Sequence, residues 1–177
     1  MILLFNPLST TPGKQPLPLS LLSLASVLEG RHPYHLVDGN LVADPVAAIL
    51  ELAREDSILA VTVMPGPQLT QAVEVSKKVR AALPGLPIVW GGYFPTQHAD
   101  TVLGADYVDF VVRSQGEMPL LELLDALRSG GPFSKVGSLS WKDGAKVAHN
   151  PLRAPSSLED LPDLPYHRMP MEKYLRS

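Results

Sequence analysis

Two glycine-containing turns hold the residues of this chain that could do chemistry. They are Trp90-Gly91-Gly92-Tyr93-Phe94-Pro95-Thr96 and Val112-Arg113-Ser114-Gln115-Gly116-Glu117. Each follows an apolar run of strand length and precedes a helical pattern. A parallel α/β sheet holds its ligand outside the carboxyl ends of its strands, so both turns belong on the ligand side. Glycine there lets backbone approach a large ligand with no Cβ in the way. The chemistry expected is binding by loops and backbone, and no catalytic side chain is expected.

Each further constellation has a bland reading beside the functional one. Glu117 suits the first turn of a helix, where the dipole stabilises an acid, and Ser114 could cap that helix. The loop Asn6 to Pro18 contains Ser9-Thr10-Thr11, similar to the hydroxyl-rich phosphate loop of flavodoxins, but Pro12 removes a donor. Gly13-Lys14 lacks the glycine and the Ser/Thr of a Walker loop. A plain surface loop explains that segment equally well. Met64-Pro65-Gly66-Pro67-Gln68 is a stiff turn with few backbone donors, which suits a flat apolar face better than a phosphate; by itself it reads as a rigid connector. Phe5-Asn6-Pro7 stands where a response-regulator receiver would place its acid cluster, which excludes that class. The five histidines (His32, His35, His98, His149 and His167) show no metal-ligand spacing, and only His98 lies near an expected ligand loop. With no cysteine, disulfides, thiolate metal sites and cysteine nucleophiles are excluded.

The elements that must position these turns follow from periodicity. Ile2 to Phe5, Tyr34 to Val37, Ile58 to Val63, Pro87 to Trp90 and Tyr107 to Val112 read as strands. Leu19 to Leu28, a helix starting at Asp44-Pro45, Leu69 to Leu83, a short helix around Ala99 to Leu103, and Met118 to Leu127 read as helices. In the helix from Leu69, the residues Leu69, Ala72, Val73, Ser76, Val79 and Leu83 line the apolar side. Alternation of this kind gives a doubly wound parallel sheet with helices on both faces, and five strands favour the flavodoxin-like (Rossmann-like) order 2-1-3-4-5. Val136 to Trp141 and Ala145 to Ala148 read as a hairpin turning on Asp143-Gly144. From Pro151 the chain has little periodicity and reads as a linker laid along a surface. The 177 residues carry a net charge of −3 with mixed signs and no basic cluster, so nucleic acid and anionic membrane are poor partners. No apolar run reaches membrane-span length, and no signal peptide is seen, so a cytoplasmic protein is expected.

Together these stretches resemble the N-terminal cobalamin-binding domain of cobalamin-dependent radical S-adenosylmethionine (SAM) enzymes. The resemblance rests on Ile2-Leu3-Leu4-Phe5-Asn6-Pro7 with Pro18-Leu19-Ser20-Leu21-Leu22, Val37-Asp38, Val61-Thr62-Val63-Met64-Pro65-Gly66-Pro67-Gln68, Val89 to Thr96 and Asp109 to Glu117. Asn150-Pro151-Leu152-Arg153 and Leu158 to Pro165 are similar to the bridge that leads to the catalytic barrel. The resemblance implies a cobalamin across the strand ends with its dimethylbenzimidazole tail buried beside the sheet. Asn6 and Leu19 would lie near the first strand. Thr62, Met64, Pro65, Gly66, Pro67 and Gln68 would lie under the corrin. Gly91, Gly92, Tyr93, Pro95 and Thr96, with Ser114, Gln115, Gly116 and Glu117, would surround the tail.

Two departures shape the expectation. Asn6 to Pro18 contains no histidine, so base-off cobalt without a histidine ligand is expected, and cobalt with no strong trans donor gives up a methyl group more easily. Ser114-Gln115-Gly116-Glu117 stands where the family has Gly-Glu-Gly-Glu. Lacking cysteine, the chain cannot hold a [4Fe-4S] cluster; cluster and SAM are expected only in a missing C-terminal domain. The implied organisation is a cobalamin-binding α/β domain over 1–134, a β-hairpin extension over 135–150, and a linker over 151–177 toward a radical SAM barrel of the same longer chain. The implied function is cobalamin binding within a radical SAM enzyme, a methyltransferase, with the domain not catalytic alone. The alternatives are a stand-alone flavodoxin-like flavin- or nucleotide-binding protein that uses Ser9, Thr10 and Thr11 on phosphate, and an interaction domain that keeps the fold without the ligand.

Overall fold

The computed structural model describes residues 1–11 and 14–175; the expectations at Pro12, Gly13, Arg176 and Ser177 lie outside the described residues. Strands β1 (Ile2–Asn6), β2 (Tyr34–Asp38), β3 (Ile58–Thr62), β4 (Ile88–Gly91) and β5 (Phe110–Val112) are parallel and lie in the order β2-β1-β3-β4-β5. This is the expected order. The register sets Leu4 between Leu36 and Ala60, and Trp90 beside Val61 and Val111. All five residues of β1 and of β3 are buried, as central parallel strands covered on both faces require.

Side-chain alternation along the strands divides the core. Ile2, Leu4, Ile58, Ala60, Val89, Phe110 and Val112 face helices α1 (Leu19–Leu28) and α6 (Glu117–Ser129). Leu3, Phe5, Leu59, Val61, Ile88, Trp90 and Val111 face α2 (Pro45–Leu52), α3 (Pro67–Ala82) and α5 (Ala99–Leu103). The period of two assigns neighbours to opposite layers. Asp44 caps α2 by accepting the Ala47 N–H at 3.0 Å, with Pro45 as first helical residue. Helix α3 begins earlier than expected, at Pro67. Its buried line is Gln68, Ala72, Val75, Ser76 and Val79, with the expected Leu69, Val73 and Leu83 partly buried beside it, and Trp90 Nε1 donates to Ser76 Oγ at 3.0 Å. Residues Tyr93–Gln97, read from sequence as a turn, form a short helix, α4.

The hairpin does not stand apart from the sheet. Strands β6 (Leu139–Asp143) and β7 (Lys146–His149) extend it to seven strands, β6 running antiparallel to β5. Edge strand β5 would otherwise present unpaired backbone groups, and β6 covers them. Asp143 pairs with Lys146, so the turn is Gly144-Ala145, one residue later than expected, with Gly144 at φ 62°.

The C-terminal segment is laid along the α1/α6 side. Arg153 pairs with Glu122 of α6, and the Ser156 N–H donates to Gln115 Oε1 at 2.6 Å. Arg168 Nη2 donates to Glu29 at 2.7 Å, Met169 is buried, and a last short helix, α7 (Glu172–Leu175), brings Tyr174 OH onto Asp38. Among the described residues, no helix is long and apolar enough to cross a membrane.

Candidate cofactor site

The carboxyl ends of the parallel strands open into two adjoining depressions that share Ser20. The first, about 190 Å³, runs under the ends of β3, β4 and β5 and is walled by α1 and α6. Its surface is mainly apolar: Leu24, Ala60, Val89, Val112 and Leu120 form the walls, and Gly91, Gly92 and Gly116 leave the mouth clear. The second lies between the first loop and the turn after β3, against Asn6, Leu17, Leu19, Met64, Pro65 and Gln68.

The glycines have different reasons to be glycine. Gly92 has φ 96°, and a Cβ there would come within 3.0 Å of Val63 N and O. A Cβ on Gly116 would meet Leu24 Cδ2 at 3.2 Å, while one on Gly91 would meet only Val112 O at 3.5 Å. Thr96 braces the two turns to each other: its hydroxyl donates to Gly92 O at 2.7 Å and accepts the Ser114 N–H at 2.9 Å. Ser114 takes the left-handed conformation, φ 63°, which aims that N–H at Thr96.

Glu117 opens α6 and is buried against the groove. Ser23 Oγ donates to its Oε1, whereas Oε2 is buried and has no partner among the described residues. A buried carboxylate oxygen without a donor is costly, so this atom asks for an N–H or O–H from whatever fills the groove. Leu19 and Met64, which line the second depression, are exposed by 53% and 48%, and Tyr93, just after β4, by 59%, apolar surface at the strand ends.

The fold thus separates the residues singled out by sequence into three sets. Thr62, Gly91, Gly92, Ser114, Gln115, Gly116 and Glu117 line the apolar groove. Asn6, Leu19, Met64, Pro65, Pro67 and Gln68 line the second depression. Gly66, Tyr93, Pro95 and Thr96 line neither: Pro95 is buried in α4, and Thr96 is the brace. Ser20, Leu24, Ala60, Val61, Val89, Val112 and Leu120 were not foreseen as lining. One signal for them was available, since Ala60 is the small side chain in a strand otherwise built of Ile58, Leu59, Val61 and Thr62, and its size leaves room under the strand ends.

Of the hydroxyl-rich loop, Ser9 is tied to Asn40, while Thr11 is exposed. Ser9 N–H and Oγ both donate to Asn40 Oδ1, at 2.9 and 3.2 Å. His98 stacks on Phe94 with ring centres 4.8 Å apart and lines neither depression. His149 lies at the sheet edge between Ser140 and Asp100. Among the described residues, no group of three His, Cys, Asp or Glu side chains could hold a metal ion.

The sequence model of the B12 binding domain matches residues 7–124. The chain belongs to that family. A Pyrococcus horikoshii protein named as an uncharacterized methyltransferase, PH0819, is 30% identical over 162 residues, 89% of this chain and 35% of that protein. The anaerobic magnesium-protoporphyrin IX monomethyl ester cyclase of Synechocystis is 34% identical over 70 residues, 39% of this chain and 14% of that one. Two solved structures share the fold. The cobalamin-dependent SAM radical enzyme OxsB, with aqua-cobalamin and SAM bound, superposes with a TM-score of 0.75 at 20% identity, over 87% of this chain and 22% of its own. The radical SAM methyltransferase TsrM of Kitasatospora setae, with cobalamin and a [4Fe-4S] cluster bound, gives a TM-score of 0.73 at 20% identity, over 85% and 30%. The chain spans 35% of the Pyrococcus relative and a smaller share of the others.

Proposed function

We propose that this chain is the cobalamin-holding part of a longer cytoplasmic radical SAM methyltransferase, that it holds cobalamin base-off, and that it offers cobalt no histidine ligand. The observation that carries the reading is the apolar groove ending at the unpartnered Glu117 Oε2. The residues present fit the cofactor. Leu24, Val89, Val112 and Leu120 offer a dry slot for the aromatic base of a nucleotide tail, with Gly91, Gly92 and Gly116 leaving its entrance free of Cβ atoms. Glu117 Oε2 is an acceptor for a donor on that tail. The exposed Leu19, Met64 and Tyr93, beside prolines without N–H groups, offer a corrin an apolar platform. When bound, cobalamin supplies a cobalt centre able to carry a methyl group.

Support for the larger setting comes from the relatives. Two carry methyltransferase in their names, and each is far longer than this chain. In that setting residues 1–134 form the cofactor domain, 135–150 an extension of its sheet, and 151–177 a linker toward a barrel that would hold the [4Fe-4S] cluster and SAM. Against the flavin or nucleotide alternative, Ser9 makes a poor phosphate donor, because its N–H and Oγ are both committed to Asn40.

The test is a visible spectrum of the purified chain after incubation with hydroxocobalamin and desalting. Retained corrin bands in the base-off position, unchanged in His98→Ala, are the expected result. A colourless protein overturns cobalamin binding. Base-on bands, or bands that move in His98→Ala, overturn the histidine-free base-off mode.

A further inference from the structure

Beneath the second depression, four side chains from distant parts of the sequence are joined end to end. Tyr174 OH donates to Asp38 Oδ2. Asp38 Oδ1 accepts Asn6 Nδ2 at 3.0 Å, together with the Asn40 N–H and Nδ2 at 3.0 and 2.7 Å. Asn6 Oδ1 accepts Gln68 Nε2 at 3.0 Å, and Gln68 Oε1 accepts the Met64 N–H at 3.0 Å. Asn6, Asp38 and Gln68 are all buried.

The chain of bonds has one polarity. A carboxylate only accepts, so Asn6 must turn its NH₂ toward Asp38 and leave its oxygen for Gln68. Gln68 must then present its NH₂ to Asn6, which leaves its own oxygen for Met64. Reversing either amide would set donor against donor and acceptor against acceptor. Pro65 and Pro67 carry no N–H, so the Gln68 bond to Met64 is a main tether of the Met64–Pro67 turn. At the other end, burial and the neighbouring Asp38 carboxylate push the Tyr174 phenol well above its ordinary range, so it remains a donor at every ordinary pH. Helix α7 is positioned from the first loop as well, through Gln15 Nε2 to Lys173 O at 3.0 Å.

We infer that Tyr174, Asp38, Asn6 and Gln68 form a relay through which docking of the C-terminal segment sets the Met64–Pro67 turn, making Tyr174 a positioning residue for the cofactor platform. That the turn is a platform rests on the function proposed above; the relay itself rests on the hydrogen bonds. In the longer enzyme, the segment leading to the next domain would thereby order the surface on which the corrin rests.

The test is amide hydrogen exchange at Met64 in the cobalamin-free protein. In Tyr174→Phe, and in a second variant lacking residues 171–177, Met64 exchange should rise about tenfold, while amides of β1 and β4 hold their protection. Gln68→Leu, which removes the acceptor directly, gives the upper limit. Hydroxocobalamin affinity of Tyr174→Phe should fall about three- to tenfold, the size of one lost charge-assisted hydrogen bond acting at a distance. Unchanged Met64 exchange in both variants overturns the relay, whatever the protein binds. Raised exchange in a protein that binds no cobalamin upholds the relay and overturns the proposed function.

Discussion

Gly91 and Gly92 look equivalent in the sequence and are not equivalent in the fold. Gly92 combines φ 96° with a Cβ path blocked by the Val63 backbone at 3.0 Å, whereas Gly91 would set its Cβ 3.5 Å from Val112 O. Gly92→Ala should therefore destabilise the protein by about 1–3 kcal/mol, the usual cost of holding a side chain in a region reserved for glycine. Gly91→Ala should cost clearly less, and urea unfolding of the two variants measures the difference. Glu117 holds a second residue-scale distinction. As the first acid of α6 it looks like an ordinary dipole partner, yet one oxygen is used by Ser23 and the other has no donor. The type of this residue was legible in the sequence. Its half-satisfied state depends on where α1 crosses α6.

Among the elements, the C-terminal segment is attached most visibly by charge. Glu29 at the end of α1 accepts two hydrogen bonds from Arg168 and one from Tyr34. The Arg168 bonds, with Tyr34 second, hold the Glu29 carboxyl down at about 2 against an ordinary 4.5. Burial, aided by the same bond, pushes the Tyr34 phenol up to about 12. A carboxyl lowered on docking stabilises the docked segment in full above pH 4.5 and loses that contribution as pH falls toward 2. The methyl resonance of Met169, a buried residue of the docked segment itself, should accordingly shift with an apparent pKa near 2. In Arg168→Ala the midpoint should move up toward 4.5. A Met169 shift already complete at pH 4 in the unaltered protein would show that Arg168 does not hold the segment.

At the scale of the whole molecule, the sheet presents at its carboxyl ends exposed apolar side chains and an apolar groove, and a ligand that covers both must stabilise the fold. Cobalamin at about a hundred times its dissociation constant should add about 2.7 kcal/mol, a rise in Tm of about 5–10 °C for a chain of this size. Calorimetry with and without hydroxocobalamin reads it directly. An unmoved Tm at saturating cofactor would mean that the native state gains nothing from the ligand.

The sequence by itself determined the doubly wound order, because strands β1 and β3, apolar but for their last residues Asn6 and Thr62, and the helical periods between the strands admit few other packings. It also located both glycine turns at the carboxyl ends of the strands, since strand ends and glycine are local signals. Tertiary structure alone decided the rest. The hairpin joined the sheet because β5 had an open edge, which no local pattern reveals. Tyr93–Gln97 became helical once Gly92 turned the chain back onto Val63, where the Phe94 N–H finds Val63 O at 3.1 Å. The groove walls came from α1, α6 and the small side chain of Ala60, residues that read only as core until two layers were brought together. The link from Tyr174 to Met64 spans most of the chain. A hydrogen-bonded path between residues so far apart in sequence exists only after the strands have set Asn6 beside Asp38, and no period or spacing encodes it.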